Sequence, residues 1–141
     1  MRMLVLAIGV ALIVTSVHAR EKRHKRVKSS HFNVERIEKS LNKLGPDERL
    51  VQVCDLAAMQ RIRMDQPDYK PDRVVADAVK PTVIDKNTVL ASGGAFRSKK
   101  KWYALSYSCT AVDGDMKADK FEYKVGAEIP ANQWTGYGLW E

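Results

Sequence analysis

The chain has 141 residues, with 24 lysines and arginines, 17 aspartates and glutamates, two cysteines and three histidines. This length suits one domain with a modest core and excludes multidomain architectures. The three histidines, His18, His24 and His31, precede or border the predicted domain, so histidine-based catalytic triads and histidine-rich metal sites are excluded from its core.

Residues 1–19 have the features of a signal peptide. Arg2 gives a basic start, residues 4–16 are uncharged and apolar, and residues 17–19 place small side chains at the positions that a signal peptidase recognises. We therefore expect cleavage after Ala19 and export to the periplasm or cell envelope. The alternative is an uncleaved membrane anchor, because the apolar run is only slightly shorter than the ~17 to 25 residues that span a bilayer.

Residues 20–30 form a basic leader that is typical of a disordered, solvated segment. Residues 29–141 are nearly neutral, so the positive net charge of +7 comes mainly from this leader. A basic leader can bind anionic lipid or acidic polysaccharide, which we rank above nucleic acid for an exported protein. The alternative is a solubilising tail without a partner. The candidate surface-binding residues are Arg20, Lys22, Arg23, Lys25, Arg26 and Lys28.

Residues 31–141 are predicted to form a single domain that begins with helices. Asn33 can cap a first helix, which ends at Gly45-Pro46. A second helix starts at Pro46 and continues to Ile62, with a possible interruption at Asp55. A turn-rich connector with two prolines follows it. The apolar stripe of the first helix comprises Val34, Ile37, Leu41 and Leu44.

After the connector, short β-branched or aromatic runs alternate with turn residues. These runs predict strands near residues 74–75, 82–84, 88–90, 95–96, 102–112 and 119–125, separated by turns at residues 85–87, 92–94, 98–101 and 113–115. Helices followed by strands indicate an α+β fold, in which a layer of two to three helices packs on an antiparallel meander sheet.

The last two strands predict a hairpin whose apolar side chains share one face. A two-residue loop would turn the two apolar sets to opposite faces, whereas an odd-length loop or a bulge brings them together. We therefore expect Phe121 to pair with Tyr107, and Tyr123 to pair with Leu105.

The C-terminal residues 134–140 concentrate aromatic side chains among glycines. Trp134, Tyr137 and Trp140 suit contact with a carbohydrate or a protein partner if they are exposed. The alternative is that the rings close the core over the end of the sheet.

Cys54 lies on the second helix and Cys109 on the predicted inward face of a strand. Two cysteines on faces that meet, in an oxidising compartment, favour a disulfide. The alternative is a pair of buried thiols.

The full set of motifs resembles the uncharacterised bacterial family called domain of unknown function 930. The resemblance covers roughly residues 40 to 140 and implies an exported or envelope-associated protein, without an activity, cofactor or catalytic residue. The motifs that carry it are VCDLAAMQRI around Cys54, YKPDRVV at 69–75, GAFR at 94–97, KWY at 101–103, LSYSC at 105–109, FEYKVG at 121–126 and Ile129-Pro130 before Trp134.

Catalytic patterns in the domain are weak. Residues 98–101 match a Ser-x-x-Lys pattern, residues 92–94 are glycine-rich and residues 113–115 are acidic, but each is interpreted as a turn. Asp55 with Glu122 could serve general acid/base cleavage of glycans, although a helix cap or a solvated charge accounts for each carboxylate.

We therefore expect an exported binding or structural module of the envelope, without enzymatic activity or a cofactor. Its expected partner is an envelope protein, a glycan or an anionic lipid surface. The alternatives are a peripheral protein held to anionic surfaces by its leader and a carboxylate-based glycan hydrolase.

Overall fold

The structure, a computed structural model, describes residues 34–112 and 114–141. The chain divides after residue 38, and residues 39–141 form one compact unit. Residues 34–41 are helical and are called α1, and α2 spans Pro46–Asp65. The further elements are β1 (Pro71–Val75), β2 (Val83–Asp85), β3 (Thr88–Ser98), β4 (Lys101–Val112), β5 (Lys117–Ile129), α3 (Ala131–Trp134) and a 3₁₀ turn (Thr135–Tyr137). Helices precede an antiparallel sheet, which confirms the predicted α+β class.

The second helix starts at Pro46, as the sequence predicts, whereas α1 ends at Leu41, earlier than the predicted stop at Gly45-Pro46. Pro46 stands at the start of α2, where its missing N–H costs no hydrogen bond. The helix continues without interruption through Asp55 to Asp65. Of the apolar stripe predicted for α1, Leu41 is buried and Val34 and Ile37 are exposed. Leu44, its fourth member, is half-buried and lies after the helix has ended. Asn33 and the whole leader lie outside the described residues.

The sheet is antiparallel, with the order β1, β3, β4, β5, and β2 also pairs with β3. β3 runs unbroken through Gly93 and Gly94, where its pairing with β4 shifts register. The turn predicted at residues 92–94 is therefore wrong. A Cβ atom at Gly93 would lie 2.5 Å from the backbone nitrogen of Lys80, so the glycine lets the segment before β2 lie directly against β3.

The last hairpin has a different register from the predicted one. Tyr107 pairs with Tyr123, and Cys109 pairs with Phe121, so the predicted partners were two residues off. The pairing shifts between Thr110 and Ala111, just before the turn. The two apolar sets nevertheless lie on one face, as predicted, because a displacement by two residues preserves the side of the sheet.

The main core lies between α2 and one face of the sheet, which we call the inner face. Cys54 of α2 and Cys109 of β4 form a disulfide with a Cα–Cα distance of 5.8 Å, and both residues are 0% exposed. The predicted disulfide is thus confirmed. It joins helix to sheet within a cluster that includes Leu50, Val53, Ala58, Ile62, Val89, Phe96, Leu105 and Tyr107.

A smaller cluster occupies the opposite, outer face of the sheet. Neighbouring residues of a strand point to opposite faces, so Ala95 and Trp102 face away from their neighbours Phe96 and Tyr103 in the main core. Ile129 and Leu139 complete the buried set. The C-terminal segment therefore returns to cover one end of this face.

Candidate functional site

The most distinctive surface of the described residues is a furrow between α2 and the β1–β2 edge of the sheet. It contains two cavities that share Gln52. One cavity, of about 260 Å³, is bordered by Trp140 and is called the aromatic cavity. The other, of about 450 Å³, is bordered by Asp47, Glu48 and Asp77 and is called the acidic groove.

Asp55 lines the aromatic cavity and is only 6% exposed. The Tyr107 hydroxyl donates a hydrogen bond of 2.9 Å to Asp55 Oδ1. Burial raises the pKa of Asp55 to about 7; the bond from Tyr107 lowers this pKa, and the charge of Asp77 raises it. The carboxyl therefore changes its charge near neutral pH.

Tyr107 remains a protonated donor throughout this range. Burial and the adjacent Asp55 raise the pKa of its phenol far above the ordinary value. Tyr107 is on β4, two residues before Cys109, and Asp55 follows Cys54 on α2. The disulfide and the Asp55–Tyr107 bond thus join the same two elements side by side, which orients the carboxyl at the cavity wall.

Trp140 supplies an exposed aromatic surface at the aromatic cavity. Its side chain lies at the chain's C-terminal end, where the Trp102 Nε1–H donates a 2.8 Å hydrogen bond to the Trp140 carbonyl. The residue is 47% exposed. The Arg73 guanidinium lies 4.9 Å from the centroid of a Trp140 ring, within the range of a cation–π interaction. A partly exposed indole beside a guanidinium and a carboxyl can contact both apolar and polar groups of a ligand.

The three C-terminal aromatics divide between the two roles that the sequence left open. Trp134 and Tyr137 are half-buried and pack on the outer-face cluster. The Trp134 Nε1–H donates a 2.9 Å hydrogen bond to the Ile129 carbonyl. Trp140 alone of the three is exposed and lines the furrow. The rings of Trp134 and Tyr137 therefore contribute to packing, and Trp140 remains a candidate contact.

The structure places the carboxylates of the hypothetical hydrolase on different sides of the sheet. Asp55 bonds Tyr107 on the inner face, whereas Glu122 neighbours the inward-facing Tyr123 on β5 and so points to the outer face. The pair named from the sequence is thus wrong as a catalytic pair. The sequence could not show this, because the outcome depends on strand register.

Ser98 also has a structural role. It is 1% exposed, and its hydroxyl accepts a 2.8 Å hydrogen bond from the Lys70 N–H. Lys99 and Lys100 form the turn between β3 and β4, as predicted. Gly114 and Asp115 belong to the turn between β4 and β5, and Asp113 lies outside the described residues.

Arg73 and Asp77 were not selected as site residues from the sequence, and Asp55 was named only as the partner of Glu122 in a hydrolytic pair. The available signal was an aspartate among the buried positions of α2, beside Leu50, Val53 and Ala58. That position was interpreted as a helix interruption, and its carboxylate as a helix cap, a solvated charge or half of a hydrolytic pair. The cap and the solvated charge are wrong, because Asp55 is buried in the middle of α2. A buried carboxylate on an apolar face instead indicates a specific hydrogen-bond partner across the core.

Within residues 34–112 and 114–141, no cluster of three or more histidine, cysteine or acidic side chains is placed to hold a metal ion. None of the helices in the described part of the chain has the length and apolar character needed to cross a membrane. The six candidate cations at residues 20–28 lie outside the described residues.

A comparison with protein families gives one match. The family described as Domain of Unknown Function (DUF930) matches residues 41–139, which confirms the resemblance inferred from the motifs. No significant match is found among curated proteins or solved structures.

Proposed function

The chain belongs to the DUF930 family, and we propose that it is an exported, non-enzymatic module that binds a partner protein of the cell envelope through the furrow. The observation that best supports binding through the furrow is the exposed Trp140 ring, which lies beside Arg73 and the buried Asp55 carboxyl. Large aromatic and arginine side chains in a concave setting are the residue types that dominate binding energy at protein interfaces.

Export is supported by two independent features. The N-terminal sequence has a basic start, an apolar run and small residues before Arg20. The Cys54–Cys109 disulfide lies at the centre of the core, and such bonds persist in oxidising compartments. Intact mass of the natural protein checks this part: we expect a chain that begins at Arg20. A chain that retains residues 1–19 would contradict cleavage.

A binding role accounts for the furrow better than hydrolysis does. Asp55 already accepts a hydrogen bond from Tyr107, and Glu122 points to the other face of the sheet. Trp140 and Gln52, by contrast, are exposed along the furrow and available for contact. The apolar side chains of Leu56 and Met59 extend this surface next to the indole.

Site-specific photo-crosslinking in the native host tests the proposal. A photoreactive amino acid at Gln52, which both cavities share, should form a discrete adduct with an envelope protein. The same amino acid at Lys120, exposed on β5 outside the furrow, is the matched control. The adduct at position 52 should be lost in the Trp140→Ala background. Equal adducts from positions 52 and 120 would contradict binding through the furrow. An adduct at position 52 that persists in the Trp140→Ala background would contradict it as well.

A further inference from the structure

The acidic groove of the furrow has an apolar floor and an acidic rim. Leu44 and Val51, both half-buried, lie on the helical side, and Ala76 and Ile84 lie on the side of the sheet edge. The volume of about 450 Å³ falls within the roughly 300–1,000 Å³ that is typical of ligand sites.

The rim carries three exposed carboxylates, Asp47, Glu48 and Asp77, and none of the residues that line the groove is basic. None of the three carboxylates has an ion pair or a side-chain hydrogen bond with another residue that the structure describes, so all three are available to a ligand. The only charged residues that line this apolar floor are therefore acidic, in a domain that is otherwise nearly neutral.

Local helix chemistry explains only part of this arrangement. Asp47 and Glu48 are in the first turn of α2, where acidic side chains are favourable next to the helix N-terminus. Asp77 belongs to a different segment, after β1, and faces the same groove. The Arg49 guanidinium, close by in sequence, is bound to the carbonyls of Leu41, Leu44 and Gly114 instead.

We propose that the acidic groove binds a segment of the partner protein in which an apolar side chain is flanked by lysine or arginine. The apolar group would occupy the floor between α2 and β2. The flanking cations would pair with Asp47 and Glu48 on the helical side and with Asp77 on the sheet side. Complementary charge would steer the encounter and select against acidic segments. This inference rests on the proposed function, because it names the chemistry of the occupant of part of the same furrow.

Peptide binding to the full mature chain tests the inference. The probe is a fluorescent nine-residue peptide that alternates lysine with leucine, and its counterpart has glutamate in place of lysine. At ~50 mM salt we expect the lysine peptide to bind and to weaken strongly towards ~0.5 M salt, since screening shortens the reach of charges. The triple variant Asp47→Asn, Glu48→Gln, Asp77→Asn should bind it at least about tenfold more weakly, as expected for the loss of close charge pairs.

A matched triple variant separates the groove from the overall charge. Asp68→Asn, Asp119→Asn, Glu122→Gln makes the same change in net charge at exposed positions that do not line the groove. Its affinity for the lysine peptide should stay within about twofold of the natural chain. The inference would be overturned if both triple variants lost affinity for the lysine peptide to the same extent. It would also be overturned if the glutamate peptide bound and the groove substitutions weakened its binding as much as that of the lysine peptide. Unchanged thermal unfolding of both variants shows that the fold is retained.

The inference and the proposed function can fail separately. Suppose that the crosslink from position 52 depends on Trp140 but the lysine peptide does not bind through the groove. The proposed function would then stand, and only the inference that the groove binds a basic segment would be overturned. Groove-dependent peptide binding without that crosslink would overturn Trp140 as the anchor of the partner and leave the charge preference in place.

Discussion

Asp55 shows how one residue can combine a structural and an electrostatic role. Its carboxyl is buried on the face of α2 that meets the sheet, and the Tyr107 hydroxyl satisfies one of its oxygens. An ionised carboxyl at this position loses hydration that one hydrogen bond does not fully replace. The protonated form is therefore favoured in the folded protein up to a pH of about 7.

The first prediction concerns the pH dependence that Asp55 confers. Its pKa is higher in the folded chain than the ordinary value of 3.8, so its contribution to stability falls as pH rises from about 4 to 7. The slope approaches about 1.4 kcal/mol per pH unit inside that window. Asp55→Asn should therefore gain stability relative to the natural chain as pH rises.

Urea unfolding at several pH values between 4 and 8 measures this difference. Asp119→Asn, which removes an exposed carboxylate from β5, is the control and should show no comparable trend. A free-energy difference between Asp55→Asn and the natural chain that stays constant with pH would contradict the burial argument.

The second prediction concerns the disulfide. Cys54 and Cys109 are 55 residues apart, and closing a loop of this size disfavours the unfolded chain by about 4 kcal/mol on the chain-entropy model. The double variant Cys54→Ala, Cys109→Ala should lose stability of that order. Urea unfolding with and without reductant measures it: the reductant should lower the midpoint of the natural chain and leave the double variant unaffected. Equal midpoints for the two oxidised proteins would be inconsistent with a stabilising bond.

At the scale of elements, the length of β3 depends on two glycines that the sequence marks as a turn. Val79 N–H donates a 2.7 Å hydrogen bond to the Gly93 carbonyl, so the segment before β2 is fastened to the strand at its bulge. The close approach of Lys80 leaves no room for a side chain at Gly93. The glycine pair thus serves packing rather than chain reversal.

The third prediction follows from this contact. Gly93→Ala should destabilise the fold by roughly 1–3 kcal/mol, because the new methyl group must displace the Lys80 backbone. Gly136→Ala is the control, since a Cβ there meets no atom within 4 Å and the residue lacks a positive φ. Thermal and urea unfolding of the two variants provide the comparison. Equal stability of Gly93→Ala and Gly136→Ala would contradict this prediction, because it would show that the segment around Lys80 can shift with little loss of free energy.

At the scale of the whole molecule, charge is unevenly distributed along the sequence. Residues 20–28 contain six basic residues and one acidic residue, whereas residues 29–141 are nearly neutral. The leader lies outside both the described residues and the DUF930 match. Surface adhesion and domain stability are therefore expected to depend on different parts of the chain.

The fourth prediction separates these two parts. Deletion of residues 20–28 should change thermal stability little, because it removes no predicted core residue. Adhesion to vesicles of anionic lipid should fall sharply at low salt, since each lysine or arginine near such a surface contributes about 1 kcal/mol. Above ~0.3 M salt both proteins should bind weakly. If the full and the truncated chains adhere equally and without dependence on salt, the vesicles bind another surface of the protein. If neither chain adheres, the leader is a solvated tail.

Features that depend on local chemistry could be predicted from the order of the amino acids. The change from helical to strand periodicity, the start of α2 at Pro46 and the turn at Lys99-Lys100 follow from residues close together in the chain. The Cys54–Cys109 pairing was also accessible, because only two cysteines are present and each was expected on a core face.

Packing in three dimensions sets the remaining features, which are the hairpin register, the outward face of Glu122, the partner of Asp55 and the furrow that brings Asp77 opposite Asp47. These features join residues far apart in sequence. Strand side chains alternate between faces at every residue, so a bulge or a turn one residue longer changes which groups meet. Local patterns constrain each element, but packing between elements determines where the site lies.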